Sequence, residues 1–533
     1  NHSSKASSMK TKFFFFFLLF MGYSVFFSES FKNVLIHNFG QPNEPSIVID
    51  PKNPAHIMAA SNVDNVYESV DSGKTWNKQK LTSSFGVFGD PCLITDTSHH
   101  FYYFHLAQNP LITVWPKWAD RVVCQRFPDV SNTWSNGGYA GLNPGYMQDK
   151  EWAVFDSKTN RIYATWTQFD NYGSTNPEDS SNILFSYSDN QGDSWSPAKI
   201  ISQMPGNCED DDKTVEGAVP TVGSNGEVFV AWAYHDSIFF DRSFDGGNTW
   251  LQNDIFIDKQ TLGWDYTISG LSRCNGLPIL DCDRSNSIHK GTLYVNWSDK
   301  RNGANDADVF VSRSLDGGTN WSAPIRVNND VPGRENFMSW LTVDQSNGDV
   351  YVLFYDRRNH NNDSTDVYLA RSIDGGITFT NYKISETPFL PISTFFFGDY
   401  VNISAVKGMV RPIWTTMNGS SQTNVYTALV DFSDSIKTSV ENLGPPQLSM
   451  YIFPNPAKNL CTIEVDINNN ITLSAKVYDI TNREVLDLFQ NITFSETQKS
   501  FSFNVKSSGL SSGMYTILIG NNEHTKVLKF AVE

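Results

Sequence analysis

The feature that most constrains the fold is a short polar turn that recurs six times. Residues 314–321 read SLDGGTNW. Close copies are SVDSGKTW at 69–76, SDNQGDSW at 188–195, SFDGGNTW at 243–250 and SIDGGITF at 372–379, with a worn copy, FPDVSNTW, at 127–134. They begin 55 to 71 residues apart, long enough for one four-stranded antiparallel unit per repeat. Such a period marks a propeller or an array. The third residue of each copy (Asp71, Asp129, Asn190, Asp245, Asp316, Asp374) is expected to bond backbone amides two residues on. Gly supplies the positive φ of the turn, and the final aromatic packs back under the hairpin. These acids read as structural staples.

The flanks carry the same rhythm. A strand runs into each motif, as in DVFVSRS (308–314) and DVYLARS (366–372). A second strand precedes it, as in RIYATWT (161–167), EVFVAWA (227–233), TLYVNWS (292–298) and DVYVLFY (349–355). A first strand precedes that, and a fourth follows the motif. Aromatic residues are 14% of the chain and sit in these alternating runs, which favours strands over helices. A seventh set begins at Phe397 but shows no clear fourth strand. NVLIHNF (33–39), ahead of the first repeat, suits the missing place. The expected fold is therefore all-β: a seven-bladed β-propeller closed by its N-terminal strand. A six-bladed ring is the alternative if the short second repeat (100–134) folds irregularly.

The motif is the Asp-box, or BNR repeat, and residues 31–435 resemble the sialidase-like superfamily of Asp-box proteins. That resemblance implies an exo-sialidase-like glycoside hydrolase: three arginines on the substrate carboxylate, a Tyr nucleophile helped by Glu, and an Asp acid/base. This chain departs from it. The family's early Arg-Ile-Pro motif is replaced by NEPSIVIDPKNP (43–54), and no arginine occurs between Phe31 and Asp120. The family has six blades against the seven counted here. The expected function is a glycan-active hydrolase of unnamed substrate. The alternative is a noncatalytic propeller that binds glycan or protein at the cell surface, or an adhesin.

Antiparallel topology places the site. If the Asp-boxes lie on one face, the links into first strands and the loops after second strands lie on the other. The catalytic candidates there are Asp356, Arg358, Asp299, Arg301 and Glu335. The substrate-binding candidates are Glu44, Asp90, Asp149, Glu216, Arg334, Arg357 and Asp399. Carboxylates suit acid–base work or sugar hydroxyls, and Arg suits bidentate capture of a carboxylate. WSDKR (297–301) and FYDRR (354–358) can equally be loop-fixing ion pairs. Trp166, Trp232, Trp297 and Trp414 recur at one strand position and read as packing between repeats. No cofactor is expected. The acidic run at 209–212 reads as a solvated loop, with calcium as the alternative.

The ends of the chain concern export. Residues 1–30 read as a signal peptide, with leader residues before Met9: a basic start, the apolar run 13–27, then small residues. Residues 436–447 read as a linker. Residues 448–533 are strand-rich, expected as a small β-sandwich. They resemble the C-terminal sorting domain of type IX secretion cargo, through Pro454-Asn455-Pro456, YDITNREV (478–485) and Gly513-Met514-Tyr515. That resemblance implies engagement of the type IX secretion machinery and a secreted or cell-surface protein of a Gram-negative bacterium. The net charge of −17 argues against nucleic acid, and no later segment reads as a membrane span. Cys274 and Cys282 are either a loop disulfide or buried thiols.

Overall fold

Among the described residues, seven four-stranded antiparallel sheets and two further sheets are formed. The structure, a computed structural model, describes residues 31–114, 116–128, 133–417, 419, 422–432, 449–466, 471–479, 483–495, 499–521 and 525–533. The expected signal peptide, the linker and Asp129 lie outside the described residues. Two compact units divide the chain, one up to Ser433 and one from Asp434 onward.

In the first unit six of the sheets take four strands in chain order. The first sheet is Ser46–Ile49, Ile57–Ser61, Asn65–Ser69 and Asn77–Lys80. The short second repeat also forms a full sheet, from Cys92–Thr95, Phe101–Leu106, Val122–Phe127 and Gly138–Ala140. The seventh sheet is composite. Asn402–Val406, Met409–Met417 and Thr423–Asp431 are joined by the N-terminal strand Lys32–His37, whose Lys32 and Val34 pair with Leu429 and Thr427. First strands contact one another in chain order, and that of the seventh sheet contacts that of the first. Residues from all seven first strands line one central cavity of about 250 Å³.

The burial pattern explains why these sequences make these strands. Second strands such as Arg161–Phe169, Leu293–Asp299 and Val350–Asp356 are buried almost throughout. They are covered on both faces by neighbouring sheets and are accordingly rich in β-branched and aromatic residues. Trp166, Trp232, Trp297 and Trp414 are among the largest fully buried side chains. Fourth strands are short, as in Asn77–Lys80, Lys199–Ile200 and Ile325–Arg326, and each of these carries Lys or Arg, which discourages pairing with other chains at the outer edges.

The second unit has a three-stranded sheet (Ser449–Phe453, Leu460–Asp466, Ser500–Asn504) and a four-stranded one (Glu484–Phe494, Ile471–Tyr478, Gly513–Gly520, Thr525–Val532). Residues of both, including Ile463, Val465, Val477, Ile517 and Phe530, share one apolar core. All six cysteines are free and buried, Cys274 and Cys282 included. Among the described residues no helix is long and apolar enough to cross a membrane.

Candidate functional site

The two ends of the first-unit sheets differ in chemistry. At one end lie the recurring turns. In residues 69–76 the Ser69 hydroxyl accepts the Gly73 amide at 2.9 Å and donates to Asp71 Oδ1 at 2.8 Å. Asp71 Oδ1 then accepts the amides of Lys74 and Thr75 at 3.0 and 2.9 Å, and Trp76 Nε1 donates to the Gly73 carbonyl. Asp245 and Asp374 repeat the pattern, while Asp316 and Asn190 take the amide four residues on. The acid thus caps amides three and four residues on, not two, because the serine hydroxyl takes the nearer amides. Asp71 is held down at about 2, chiefly by the bond from the Thr75 hydroxyl and then by the Thr75 amide, and Asp245 and Asp316 at about 2, chiefly by the amides of Thr249 and Asn320. Asp374 is held at about 2 against its partial burial.

At the other end the chain leaves regular strand geometry. The pairing register slips between Asp149 and Trp152, between Glu216 and Val219, and between Phe337 and Trp340. A bulge of this kind re-aims side chains. Lys150, Gly217 and Met338, inside the slips, have φ of 51°, 75° and 51°, and Glu44, Asp90 and Gly398, just ahead of other first strands, have 50°, 54° and 104°. A non-glycine residue in the left-handed region costs about 1–2 kcal/mol, so the fold holds Glu44, Asp90 and Lys150 there against their preference.

The result is a cluster of buried charge. Lys150 Nζ lies 3.0 Å from Asp399, 3.7 Å from Asp90 and 3.9 Å from Asp149. Arg273 donates to both oxygens of Asp399, through Nε at 2.8 Å on one of them, and through Nη1 to Asp210 at 2.9 Å. Tyr172 donates to the same Asp210 oxygen at 2.7 Å. Glu44 is held by Asn62 and by the Asp399 amide at 3.1 Å. Glu151 and Glu216 are 2% and 0% exposed, and among the described residues neither oxygen of either has a hydrogen-bond partner.

Environment splits these acids. Asp149 is pushed up to about 7, by burial first and then by the charges of Asp90 and Asp210, against the pull of Lys150. Burial also drives Glu44, Glu151 and Glu216 well above the usual carboxylate range. Burial would raise Asp399 too, but Lys150 and Arg273 overcome it and hold this acid below that range. Lys150 is raised in spite of burial, by Asp149, Asp399 and Asp90. Beside the cluster, the rings of Trp152, Trp340 and Tyr400 meet at centroid distances of 5.8 to 6.1 Å. Asp90 and Glu44 act electrostatically on Tyr400, and Trp152 and Trp340 line the central cavity.

Of the candidates read from sequence, Glu44, Asp90, Asp149, Glu216 and Asp399 come together here. The others lie in separate sets of contacts, and Glu335 Oε2 has no partner among the described residues. Arg358 donates to Asp356 from its amide and side chain at 2.7 Å, reaches Asn329 and Asn381, and covers the Tyr368 ring. Arg301 grips Asp299, bonds Asp258 at 2.9 Å and covers Phe310. Glu335 faces Lys300 at 3.3 Å, Arg357 donates to the Ser269 carbonyl at 2.7 Å, and Arg334 to Asn361 at 2.7 Å. Lys150, Arg273 and Asp210 were missed. Lys150 had a signal, lying between Asp149 and Glu151, whereas Arg273 sits in a long link with no motif. In the acidic run, Asp210 joins the cluster, Asp211 bonds Asn207, and Asp212 accepts the Asp265 amide. Among the described residues no group of three or more His, Cys, Asp or Glu is placed to hold a metal ion.

None of the curated proteins compared matches this chain in sequence. Solved structures similar to it include an ulvan lyase of a new polysaccharide lyase family, at 11% identity and a TM-score of 0.45, covering 77% of this chain and 100% of the lyase. An α-L-arabinanase of Penicillium chrysogenum, complexed with arabinobiose, is similar at 12% identity and a TM-score of 0.41, covering 75% and 98%. The intramolecular trans-sialidase of Ruminococcus gnavus is similar at 13% identity and a TM-score of 0.37, covering 75% and 97%. In the second unit, residues 451–533 match the family model of the secretion system C-terminal sorting domain. The chain thus ends in a sorting domain of that family.

Proposed function

We propose that the seven sheets are the blades of a closed seven-bladed propeller, and that the protein is an exported glycan-active hydrolase working at the bulged end of its blades. The single observation that carries the reading is the split among buried acids. Asp149, pushed up to about 7, is protonated in about half of the molecules at neutral pH, while Asp399, also beside Lys150, is held ionised. Titratable groups driven apart by their surroundings are how one site holds both an acid and a base. Asp149 is the candidate proton donor to a leaving oxygen. Asp90, also beside Lys150, is the candidate carboxylate partner. Lys150 and Arg273 act as positioning residues, fixing which acid is ionised. Asp356–Arg358 and Asp299–Arg301 hold the loops around the site. The sorting domain supports export, and a β-sandwich is the reading of its two sheets that share one core.

A noncatalytic glycan-binding propeller is the second reading. Trp152, Trp340 and Tyr400 favour it, because their rings pack against one another beside the acids and fill space that an open catalytic funnel would leave to substrate. A panel of chromogenic glycosides, a sialoside included, separates the two. The full chain is expected to turn over at least one of them. Asp149→Asn is expected to lose about 100-fold or more in kcat, and Asp356→Asn to keep most of it. Folded protein that turns over nothing sinks the hydrolase reading and leaves the binding one.

A further inference from the structure

Both cations of the cluster are already engaged by carboxylates. Lys150 sits among Asp399, Asp90 and Asp149, and Arg273 grips Asp399 and Asp210. Neither guanidinium nor ammonium is turned to an incoming anion. Among the described residues, the cluster's acids leave several carboxylate oxygens without partners, both of Glu151, both of Glu216 and Oδ1 of Asp210, and the Tyr103 hydroxyl near Glu151 and Asp90 has none either. Glu216 acts electrostatically on Arg273 and is itself acted on by Asp210, Lys150 and Asp149, so it faces the same cluster. Asp265 and Asp211 add negative charge beside Arg273 and Asp210. A ligand bearing a carboxylate or sulfate meets repulsion here with no free cation to receive it. A ligand bearing an ammonium group brings several donors and the positive charge that lets buried acids ionise.

We propose that this site takes an amine-bearing sugar, a glucosamine-type unit with its nitrogen free and protonated, in preference to an acidic or N-acetylated one. The proposal rests on the site assignment above and narrows its substrate class. It also sets this chain apart from the acidic sugar that the Asp-box resemblance implies.

Calorimetry on the full chain tests it, with oligomers of glucosamine, of N-acetylglucosamine and of galacturonate at low and high ionic strength. The glucosamine oligomer is expected to bind about 10-fold or more tighter than its acetylated counterpart, and to weaken as salt rises. Its binding heat is expected to change with the ionisation enthalpy of the buffer, because an arriving ammonium releases protons from the raised acids. Asp210→Asn, at the partly open edge, and Glu216→Gln, at the buried end, are each expected to weaken it about 10-fold. Equal affinity for the acetylated oligomer, tighter binding of galacturonate, or no binding of the amine oligomer overturns the proposal. Amine binding without cleavage sinks the hydrolase reading alone. Cleavage confined to neutral glycosides sinks the amine preference alone.

Discussion

Two ends of the same sheets use the same residue type in opposite ways. At the turn end, Asp71, Asp245 and Asp316 stand in solvent, each carboxylate accepting amides and a neighbouring side chain, and are held at about 2. At the bulged end, Asp149, Glu151 and Glu216 are removed from water and resist ionisation. The first arrangement is a local solution that each of the five described turns finds alone. The second needs several repeats to place side chains on one axis, and most of its desolvation is left unrelieved. Strained backbone and unsatisfied acids persist together only where the surrounding fold over-determines them, which is common at functional sites.

The hardest test of this contrast removes the central cation. Lys150→Met leaves Asp399, Asp90 and Asp149 without the charge between them, and breaking a buried pair from one side costs about 3–5 kcal/mol. Urea unfolding at pH 7 is expected to show a loss of that order. Glu216→Gln is expected to be neutral or stabilising in the same assay, since it removes a buried acid whose oxygens have no hydrogen-bond partner among the described residues. A loss below about 1 kcal/mol for Lys150→Met is what an exposed pair gives, and would mean that the cluster is solvated.

The pH profile of stability sets the two ends against each other. An acid raised in the folded state keeps its proton there longer than in the unfolded chain. Between the usual carboxylate range and about pH 7 unfolding therefore releases protons, and stability falls as pH rises. Asp149 acts in that window, joined by Asp241 at about 7 and Asp356 at about 6, each raised chiefly by burial. Each contributes a slope of up to about 1.4 kcal/mol per pH unit. The depressed acids of the turns act in the opposite sense. Their contribution is present above the usual carboxylate range and is lost as pH falls towards about 2. Unfolding measured from pH 3 to pH 8 is expected to peak near the middle of the acid range, with Asp149→Asn flattening only the descending limb. A steady rise to pH 8 contradicts the protonated state assigned to Asp149.

Legibility follows the same division. The turns, the seven repeats and the pairing of the N-terminal strand with Thr423–Asp431 were readable, because each rests on local spacing and alternation that every repeat states again. The convergence of Glu44, Asp90, Asp149, Glu216 and Asp399 was readable from topology alone. Which charges neutralise them was not. Lys150 enters the cluster through a bulge with φ of 51°, a conformation for which Lys carries no signature. Arg273 reaches Asp399 from 126 residues away in sequence. The Asp-x-Arg pairs at 299–301 and 356–358 drew attention because they recur, and recurrence tracks what each repeat does for itself.

Single turns can be probed within this frame. Asp316 Oδ1 caps Asn320 at 2.9 Å, and its other oxygen accepts the Asn320 side chain at 2.7 Å. Asp316→Ala strips both and is expected to cost about 1–2 kcal/mol in thermal unfolding. Asp316→Asn is expected to cost less, because Asn190 fills the equivalent place in its own turn and still accepts the Ser194 amide at 3.0 Å.

The smallest effect sharpens the comparison most, because it adds a charge. Asn190→Asp restores the carboxylate that the other four described turns carry. It gives up the bond from Asn190 Nδ2 to Ser194 Oγ at 2.9 Å. The Ser194 hydroxyl can then rotate to donate, as the Thr75 hydroxyl does to Asp71, and the amide bond becomes charge-assisted. Asp189 and Asp193 flank the site but already pair with Arg161 and Arg126, so the added repulsion is screened in solvent. The expected gain is under about 1 kcal/mol at pH 7, vanishing at pH 2, in paired thermal melts. Adding a carboxylate at this end and removing one at the other, by Glu216→Gln, then shift stability in the same direction. Destabilisation by Asn190→Asp at pH 7 would break the comparison, because it would show the turn end, like the bulged end, penalising charge.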